Sequence, residues 1–313
     1  MRVIVTGASG FIGHNVLLRA PREWELFAIY HSTPGLEEFV RRHGLTHVHP
    51  VRCDLTNVAN AGELARRTGP VDACLYLAAN GDPAKSADRP ALDLGLNTLA
   101  LVTFLEHAQV GHLVYLSSGA VYDGLSGEVT PAVPVAPRLP YAISKLASEH
   151  YVRFFAERRH AIGTYVNVRF FGAYGPYEPP RKITMRYLRA VINGQREFPI
   201  RGDGENLIDF MYVDDAVDGF LKLTAASGFS GTVDFASGEP VSVNHVVQTM
   251  ARLLGADVTV THEGRTEEYI TFRTVDPTMR QRFGITPRIS FEDGIRRLQQ
   301  FLVREGHGAG QPA

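Results

Sequence analysis

The 313-residue chain has little cysteine, little net charge and no long hydrophobic run, and each shortage excludes a class of protein. Its two cysteines, Cys53 and Cys74, lie in apolar stretches, which favours reduced core residues of an intracellular protein over a disulfide framework. The 32 basic and 33 acidic residues leave a formal net charge of -1, so no overall field attracts nucleic acid or an anionic membrane. No apolar run approaches the roughly 20 residues that span a bilayer, and no signal-peptide pattern is present. We therefore expect a cytoplasmic protein without a membrane, nucleic-acid or metal partner.

What the sequence does contain is a regular alternation of apolar runs and helical stretches over its first 170 residues. The predicted strands are Arg2–Thr6, Glu25–Tyr30, Thr46–Arg52, Ala73–Leu77, Leu113–Ser117 and Gly163–Arg169. The predicted helices are Gly10–Arg19, Gly35–His43, Ala59–Thr68, Asp88–Ala108 and Tyr141–Arg159. Such alternation predicts an α/β fold with a doubly wound parallel sheet covered on both faces. The rhythm breaks at a proline- and glycine-rich loop after residue 171, so we predict one domain over 1–171 and a smaller α/β region over 172–313.

A glycine-rich turn follows the first predicted strand directly. Gly7, Gly10 and Gly13 stand three residues apart, and a predicted helix begins within the turn. Strand, glycine turn and helix is the arrangement in which backbone N–H groups at a helix N-terminus receive the pyrophosphate of a dinucleotide. Gly7 would allow the tight turn, Gly10 the close approach of the backbone, and Gly13 the packing of helix on strand. A glycine turn without a ligand is the alternative, and the position at the start of a βαβ unit favours the cofactor.

Three side chains fit the chemistry of hydride transfer at a carbinol carbon, where the oxygen needs a proton donor or acceptor. Tyr141 and Lys145 lie four residues apart and hence on one face of a predicted helix. An ammonium beside a phenol favours the phenolate and lowers the pKa of the tyrosine. Ser118 can donate a hydrogen bond to the same substrate oxygen. The alternative is an ordinary surface pair, because Tyr-x-x-x-Lys occurs often by chance.

Six segments occur in an order that resembles the extended short-chain dehydrogenase/reductase superfamily, and within it the NAD-dependent epimerase/dehydratase family. They are GASGFIG at 7–13, CDL at 53–55, LAAN at 77–80, SSGAVY at 117–122, YAISK at 141–145 and GDGENLIDFMYVDD at 202–215. The resemblance implies a Rossmann-type NAD(P)-binding domain over 1–171 and a substrate-binding region over 172–313, with a segment of about 207–237 returning to the first domain. It also implies that Tyr141 and Lys145 are the catalytic pair, with Ser118 beside them, and that the substrate is a nucleotide-diphosphate sugar.

The resemblance implies a set of binding residues as well. Asp54 would meet the adenine amino group and Leu55 the adenine ring, although Asp54 fits equally well as the N-cap of the next helix. Asn97 would be a structural or proton-relay residue, with simple packing equally open, and Phe170 and Phe171 would lie near the nicotinamide or in the core. The predicted cofactor set is Gly7, Ser9, Gly10, Phe11, Ile12, Gly13, His31, Ser32, Asp54, Leu55, Leu77, Ala78, Ala79, Asn97, Tyr141, Lys145, Phe170 and Phe171, and the predicted substrate set is Ser118, Tyr141 and Gly172.

Two departures from the family pattern narrow the expected reaction. Where NAD-binding members end the second strand with Asp or Glu for the ribose hydroxyls, this chain reads His31-Ser32-Thr33. The change removes a charge that would repel a 2′-phosphate, and it supplies hydrogen-bond donors to such a phosphate. We therefore expect NAD(P) as the cofactor, with a modest preference for NADP. No arginine follows the strand directly. Gly119-Ala120 replaces the Asp-Glu pair with which 4,6-dehydratases eliminate water. We therefore expect a 4-ketoreductase or a C4 epimerase.

Two usual contacts to the substrate diphosphate are also missing. Gly172 stands where similar epimerases tend to have asparagine, and Ile208 where they have an arginine. The residues that could substitute for them are Arg181, Lys182, Arg186, Arg201 and Arg273. The departures leave open a reductase of a non-sugar carbonyl, and the fold alone also permits a non-catalytic dinucleotide-binding sensor.

The helices predicted over Asp88–Ala108 and Tyr141–Arg159 resemble those that pair in a four-helix bundle between two subunits in this branch. The resemblance therefore implies a homodimer. The apolar candidates for that face, which fit an internal core equally well, include Leu96, Leu99, Val102 and Leu146.

Overall fold

The computed structural model of the chain describes residues 1–265 and 271–305. The helices are α1 (Phe11–Arg19), α2 (Leu36–Arg42), α3 (Val58–Thr68), α4 (Pro83–Asp88), α5 (Pro90–Leu94), α6 (Ala100–Leu105), α7 (Pro140–Glu157), α8 (Ile183–Ile192), α9 (Val213–Ala225), α10 (Val243–Leu253), α11 (Thr278–Phe283) and α12 (Phe291–Arg304). The strands are β1 (Arg2–Thr6), β2 (Glu25–Tyr30), β3 (Val48–Arg52), β4 (Val71–Tyr76), β5 (Val110–Ser118), β6 (Ser126–Val129), β7 (Ile162–Phe170), β8 (Ala173–Tyr174), β9 (Glu197–Arg201), β10 (Leu207–Ile208), β11 (Met211–Tyr212), β12 (Gly231–Phe235), β13 (Val241–Ser242), β14 (Thr259–Glu263) and β15 (Thr271–Thr274).

Within the described residues, seven strands form a parallel sheet in the order β3-β2-β1-β4-β5-β7-β12. Successive side chains of a strand point to opposite faces, so Val3 and Val5 join one core cluster and Ile4 the other. The first cluster packs α1, α2, α9 and α11 on the sheet, and the second packs α3, α6 and α7 on its other face. Cys53 and Cys74 are buried and free. The predicted doubly wound α/β fold is confirmed.

The helix predicted over Asp88–Ala108 differs from the structure in two ways: it is broken at Arg89, and it contains a π-helical turn. Helix α4 ends at Asp88 and α5 begins at Pro90, with Arg89 between them at φ -137°. Proline has no N–H to continue the ladder of α4, and it excludes helical geometry at the preceding residue. A π-helical turn over Gly95–Leu99 then joins α5 to α6.

A smaller region with its own core follows the central domain. Helices α8, α10 and α12 enclose a third apolar cluster, which includes Leu188, Phe198 and Val246. Within the same stretch of sequence, β12 pairs with β7 of the central sheet and α9 packs on its face. Residues 266–270 and 306–313 of the predicted region 172–313 lie outside the described residues. Over the described ranges, none of the helices combines the length and the hydrophobicity that a membrane crossing requires.

Candidate active site

A cavity of about 290 Å³ opens at the edge of the sheet where the parallel strands end. The segments that leave β1, β2, β3 and β4 line it, since the carboxyl ends of parallel strands share one edge. The lining includes the predicted residues Gly7, Ser9, Gly10, His31, Ser32, Asp54, Leu55, Leu77, Ala78 and Ala79. It also includes Thr33 and, absent from the prediction, Ile29, Tyr30, Cys53, Thr56, Leu96 and Ala100.

The glycine turn forms one wall of this cavity, and its geometry depends on missing side chains. Gly7 has φ +66°, and a Cβ there would lie 2.9 Å from the nitrogen of Ala78. A Cβ on Gly13 would lie 2.5 Å from the carbonyl oxygen of Gly7. Because the N-cap of α1 is Gly10, no side chain caps the first-turn N–H groups of this helix. The turn therefore has the shape and polarity of an anion cradle.

Replacing Gly13 with alanine is expected to lower the free energy of unfolding by about 1–3 kcal/mol, because the new methyl group overlaps backbone that has no room to move. Urea unfolding measures the change. The control is Gly81→Ala, at a site where an added Cβ meets no atom within 4 Å. Equal stability of the two variants would contradict the close packing of α1 on the turn.

Asp54 is fixed at the cavity wall by its own loop. Its Oδ1 accepts hydrogen bonds from the backbone N and the hydroxyl of Thr56, at 2.9 and 2.7 Å. The hydroxyl bond is the main cause that holds the pKa of Asp54 below its usual value. The N-cap of α3 is Asn57, whose side chain accepts from the backbone of Asn60, so the alternative of Asp54 as that N-cap is wrong.

An arginine from the neighbouring strand lies beside the end of β2. Arg52 is the last residue of β3, and the pairing of β2 with β3 sets it opposite Tyr30. Its Nε donates to the carbonyl oxygen of His31 at 3.2 Å. This arginine cannot be found by reading the residues directly after the second strand, because strand pairing brings it there from 21 residues away.

The three predicted catalytic side chains come together at the same edge of the sheet. Ser118 ends β5, Tyr141 lies in the first turn of α7, and Lys145 lies one turn further along. The Ser118 hydroxyl accepts from the backbone nitrogen of Ala120 at 3.1 Å, and its interaction with the Tyr141 phenol acts to lower the pKa of that phenol. Lys145 is only 3% exposed, and its Nζ donates to the carbonyl oxygen of Leu116 at 2.8 Å.

The pKa of Tyr141 differs from the value that the sequence predicted. Burial raises the pKa of Tyr141 above its ordinary value, and the bond to Ser118 only partly opposes this. Lys145 does not produce the expected lowering, since its Nζ is bonded to a carbonyl and lies 6.0 Å from the centre of the Tyr141 ring. Burial in turn lowers the pKa of Lys145 to about 8, with the carboxylates of Asp93 and Glu149 acting in the opposite direction. At neutral pH the phenol keeps its proton and the lysine is mostly charged.

The remaining predicted residues lie outside the cavity lining, and several pack inside the protein. Phe11 and Ile12 begin α1 and pack against the first core cluster. Asn97 is 1% exposed, and its amide is bonded to Asn80, Asp93 and Ser144.

The two phenylalanines at the end of β7 contact other aromatic rings. The ring centre of Phe170 lies 5.1 Å from that of Phe220, and that of Phe171 lies 6.1 Å from that of Phe272. Gly172 follows them at φ +155°, and a Cβ there would lie 3.3 Å from the carbonyl oxygen of Asp209. These contacts match the packing alternative for both phenylalanines.

A cavity walled by a glycine turn, with a serine, a tyrosine and a lysine at the same edge of a doubly wound sheet, is the arrangement of the extended short-chain dehydrogenases/reductases. Residues 3–233 match the NAD dependent epimerase/dehydratase family, to which the chain belongs. The protein is therefore an enzyme of this class.

The proteins to which the chain is similar include both epimerases and dehydratases. The chain is 27% identical to a UDP-glucose 4-epimerase of Mycolicibacterium smegmatis, with 96% of this chain and 98% of that protein covered. It is 26% identical to a dTDP-glucose 4,6-dehydratase of Xanthomonas campestris pv. campestris, with 93% and 90% covered. Among solved structures, MoeE5 in complex with UDP-glucose and NAD is 26% identical, with a TM-score of 0.84 over 97% of this chain and 99% of that chain.

Proposed function

We propose that this enzyme is an NADPH-dependent reductase of the 4-keto group of a nucleotide-diphosphate hexose, with C4 epimerisation of such a sugar as the second candidate. The observation that carries the proposal is the placement of the half-buried Tyr141 with Ser118 and Lys145 at one edge of the sheet, where the raised pKa of Tyr141 keeps the phenol protonated. A protonated phenol suits the reducing direction, in which a ketone oxygen must receive a proton.

The cavity and the glycine turn fit a dinucleotide. The open N-terminus of α1 would hold the pyrophosphate, and Asp54 with Leu55 would face the adenine. Leu77 and Ala78 follow β4, which pairs with the strand that ends at Ser118. A dinucleotide lying along this edge would therefore extend from the cavity towards the catalytic group.

When bound, the nicotinamide supplies a hydride to the C4 carbon of the substrate. Ser118 donates a hydrogen bond to the C4 oxygen, and Tyr141 gives that oxygen its proton, so that ketone, hydride and proton yield the alcohol. Lys145, whose ammonium lies 6.0 Å from the centre of the Tyr141 ring and does not lower the pKa of the phenol in this structure, would orient the ribose of the bound dinucleotide. The proton then returns to Tyr141 from solvent.

The positions after Ser118 argue against dehydration, which needs an acid and a base at C5 and C6. Gly119 and Ala120 carry no titratable group. A Cβ on Gly119 would already lie 3.1 Å from the ring of Phe171, so a carboxylate does not fit there without a shift of that ring. The named dehydratases among the relatives thus share the fold with this chain, and the proposal does not take over their reaction.

The surroundings of the adenosine ribose support a phosphorylated cofactor. At this position the chain has no carboxylate, which would repel a 2′-phosphate. The cavity is lined there by three hydrogen-bond donors, His31, Ser32 and Thr33. Arg52 is anchored to His31 through Nε, which leaves its two terminal nitrogens without a partner among the described residues. A guanidinium in this position can bind a phosphate through both of them.

Lys182 is our candidate for the missing contact to the substrate diphosphate. The sequence offered four other cations for this contact, and each already has a partner. Arg181 pairs with Asp82, and Arg273 pairs with Glu128. Arg186 lies over the ring of Tyr187, and Arg201 donates to a backbone carbonyl. Within the described ranges the Lys182 ammonium forms no hydrogen bond or ion pair, and it stands at the N-cap of α8, where an anion is favoured.

One measurement separates the candidates: the amount of NADPH consumed per product formed. Purified enzyme is incubated with UDP- and dTDP-linked 4-ketohexoses and with the corresponding hexoses, each with NADPH or NADH. We expect one NADPH oxidised for each 4-ketohexose reduced, with NADH reacting more slowly. Conversion of a hexose without net consumption of cofactor, by enzyme that retains its dinucleotide, would replace the reductase with the epimerase. Turnover of a non-sugar ketone alone would overturn both.

We also propose that the enzyme is a homodimer joined through the α5–α7 face. The large apolar side chains that are about half exposed on this face are Leu94, Leu99, Ile143, Tyr151 and Phe154. Such a patch is typical of a protein interface. Of the residues predicted for it, Leu99 alone is exposed: Leu96 lines the cavity, and Val102 and Leu146 pack against internal clusters.

A further inference from the structure

Asp93, on α5, is a buried carboxylate that the chemistry described above does not use. The residue is 1% exposed. Its Oδ1 accepts hydrogen bonds from the side-chain amides of Asn80 at 2.8 Å and Asn97 at 3.0 Å. Its Oδ2 accepts from the hydroxyl of Ser144 at 2.6 Å. All three donors are neutral, so no hydrogen-bond partner balances the charge of this carboxylate.

The partners of Asp93 connect it to both ends of the candidate site. Ser144 directly precedes Lys145, and its hydroxyl oxygen lies 2.9 Å from the carbonyl oxygen of Tyr141. The side-chain oxygen of Asn97 accepts from the backbone nitrogen of Asn80, in the segment that continues from the cavity wall. One carboxylate therefore joins α5, the end of the β4 segment and the catalytic turn of α7.

Among the described residues, two carboxylates, Asp93 and Glu149, act on the Lys145 ammonium. The rings facing its ammonium belong to Tyr115, at 5.2 Å, and Tyr141, at 6.0 Å. The second nearby carboxylate, Glu149 on the same helix, is paired with Arg169 of β7 at 2.9 Å.

Of the other described elements packed against α7, none contributes a further charge that acts on this lysine. Helix α4 meets α7 through Ser86, whose hydroxyl accepts from the backbone of Tyr141. The charge of Glu149 is already balanced by a guanidinium, whereas Asp93 faces only neutral donors. Asp93 is thus the carboxylate whose charge is left to act on the buried ammonium.

We propose that Asp93 is a positioning residue, whose carboxylate keeps the buried Lys145 in its charged form and fixes Asn97 and Ser144 beside Tyr141. The use of that charge in hydride transfer rests on the proposed function. The electrostatic coupling of the two side chains does not, so it can be measured without a substrate.

The test is a direct titration of Lys145 by NMR in the full chain. The sequence has only four lysines, Lys85, Lys145, Lys182 and Lys222, so labelling lysine at Cε gives few signals, and Lys145→Arg assigns the one of interest. Asp93→Asn removes the charge at nearly constant shape, because the new amide can donate to Ser144 and still accept from Asn80 and Asn97. We expect the midpoint for Lys145 to fall by about one pH unit or more from its wild-type value of about 8.

The control is Asp88→Asn, which removes an exposed carboxylate from the neighbouring α4 and is expected to leave the Lys145 midpoint unchanged. An unchanged midpoint in Asp93→Asn, in a folded protein, would overturn the proposal. Asp93→Ser provides the same measurement if the asparagine variant does not fold. With a substrate in hand, activity that needs charged Lys145 is lost as pH rises through its pKa, so the alkaline limb of kcat should move to lower pH in Asp93→Asn. A purely structural role would lower kcat at every pH alike.

Discussion

Replacing Tyr141 with phenylalanine should lower kcat by about 100- to 10,000-fold and leave dinucleotide binding intact. The change removes one hydroxyl, the group that gives the substrate oxygen its proton. The ring, its packing and the position of Lys145 stay as they are. Steady-state turnover of the substrate identified by the NADPH assay gives the rate, and calorimetric titration with NADP gives the affinity.

A matched control is available on the same helix. Tyr151→Phe removes a hydroxyl from α7 but keeps the aromatic ring on the proposed dimer face, so both kcat and cofactor affinity should stay at the wild-type values. Full turnover by Tyr141→Phe would refute the catalytic assignment. Loss of cofactor binding in this variant would instead make Tyr141 a binding residue, in line with a dinucleotide sensor.

Replacing Arg169 with methionine is expected to lower the free energy of unfolding by about 3–5 kcal/mol at pH 7. Its guanidinium binds Glu149 through Nε and Nη2 and donates to the Tyr122 hydroxyl through Nη1. Both side chains of the ion pair are 6% exposed. Without the arginine, the Glu149 carboxylate stays buried with the Ser117 hydroxyl as a donor and no ion-pair partner among the described residues. Urea unfolding followed by circular dichroism measures the loss.

An exposed ion pair gives the comparison that isolates the effect of burial. Arg66 pairs with Glu63 on the surface of α3, and its side chain is 75% exposed. Arg66→Met removes the same guanidinium and should change the free energy of unfolding by only about 0–1 kcal/mol, since water solvates the glutamate that remains. Similar losses in both variants would show that the uncompensated charge of Glu149 is not the cause.

Local features of the sequence predicted the centre of the fold well. Strands β1 and β2 have the predicted bounds, because each is a short apolar run with a sharp start and end. The glycine turn was recognisable because a positive φ at Gly7 and the close contact at Gly13 both demand glycine. Tyr141 and Lys145 were recognisable because helical spacing sets residues four apart on one face.

Other features could not be seen along the chain. The sequence predicted one helix over Asp88–Ala108. Residue spacing alone does not reveal the break at Arg89, the π-helical turn that contains Asn97, or the buried network of Asp93 and Asn97. Arg52 reaches His31 only through the pairing of β2 with β3. Nothing along the sequence pairs Glu149 with Arg169, and their ion pair forms only where α7 packs against β7.

The sequence by itself determined the parallel sheet, the turn that can receive a pyrophosphate, and the types of side chain available for proton transfer. Each of these depends on the dihedral preferences or the spacing of residues that are close in the chain. Only the tertiary structure decided that Tyr141 keeps its proton and that Lys145 has a lowered pKa. A pKa depends on how much water is excluded and on which charges lie nearby, and both are set by residues that are distant in the sequence and meet only when the sheet and its helices pack together.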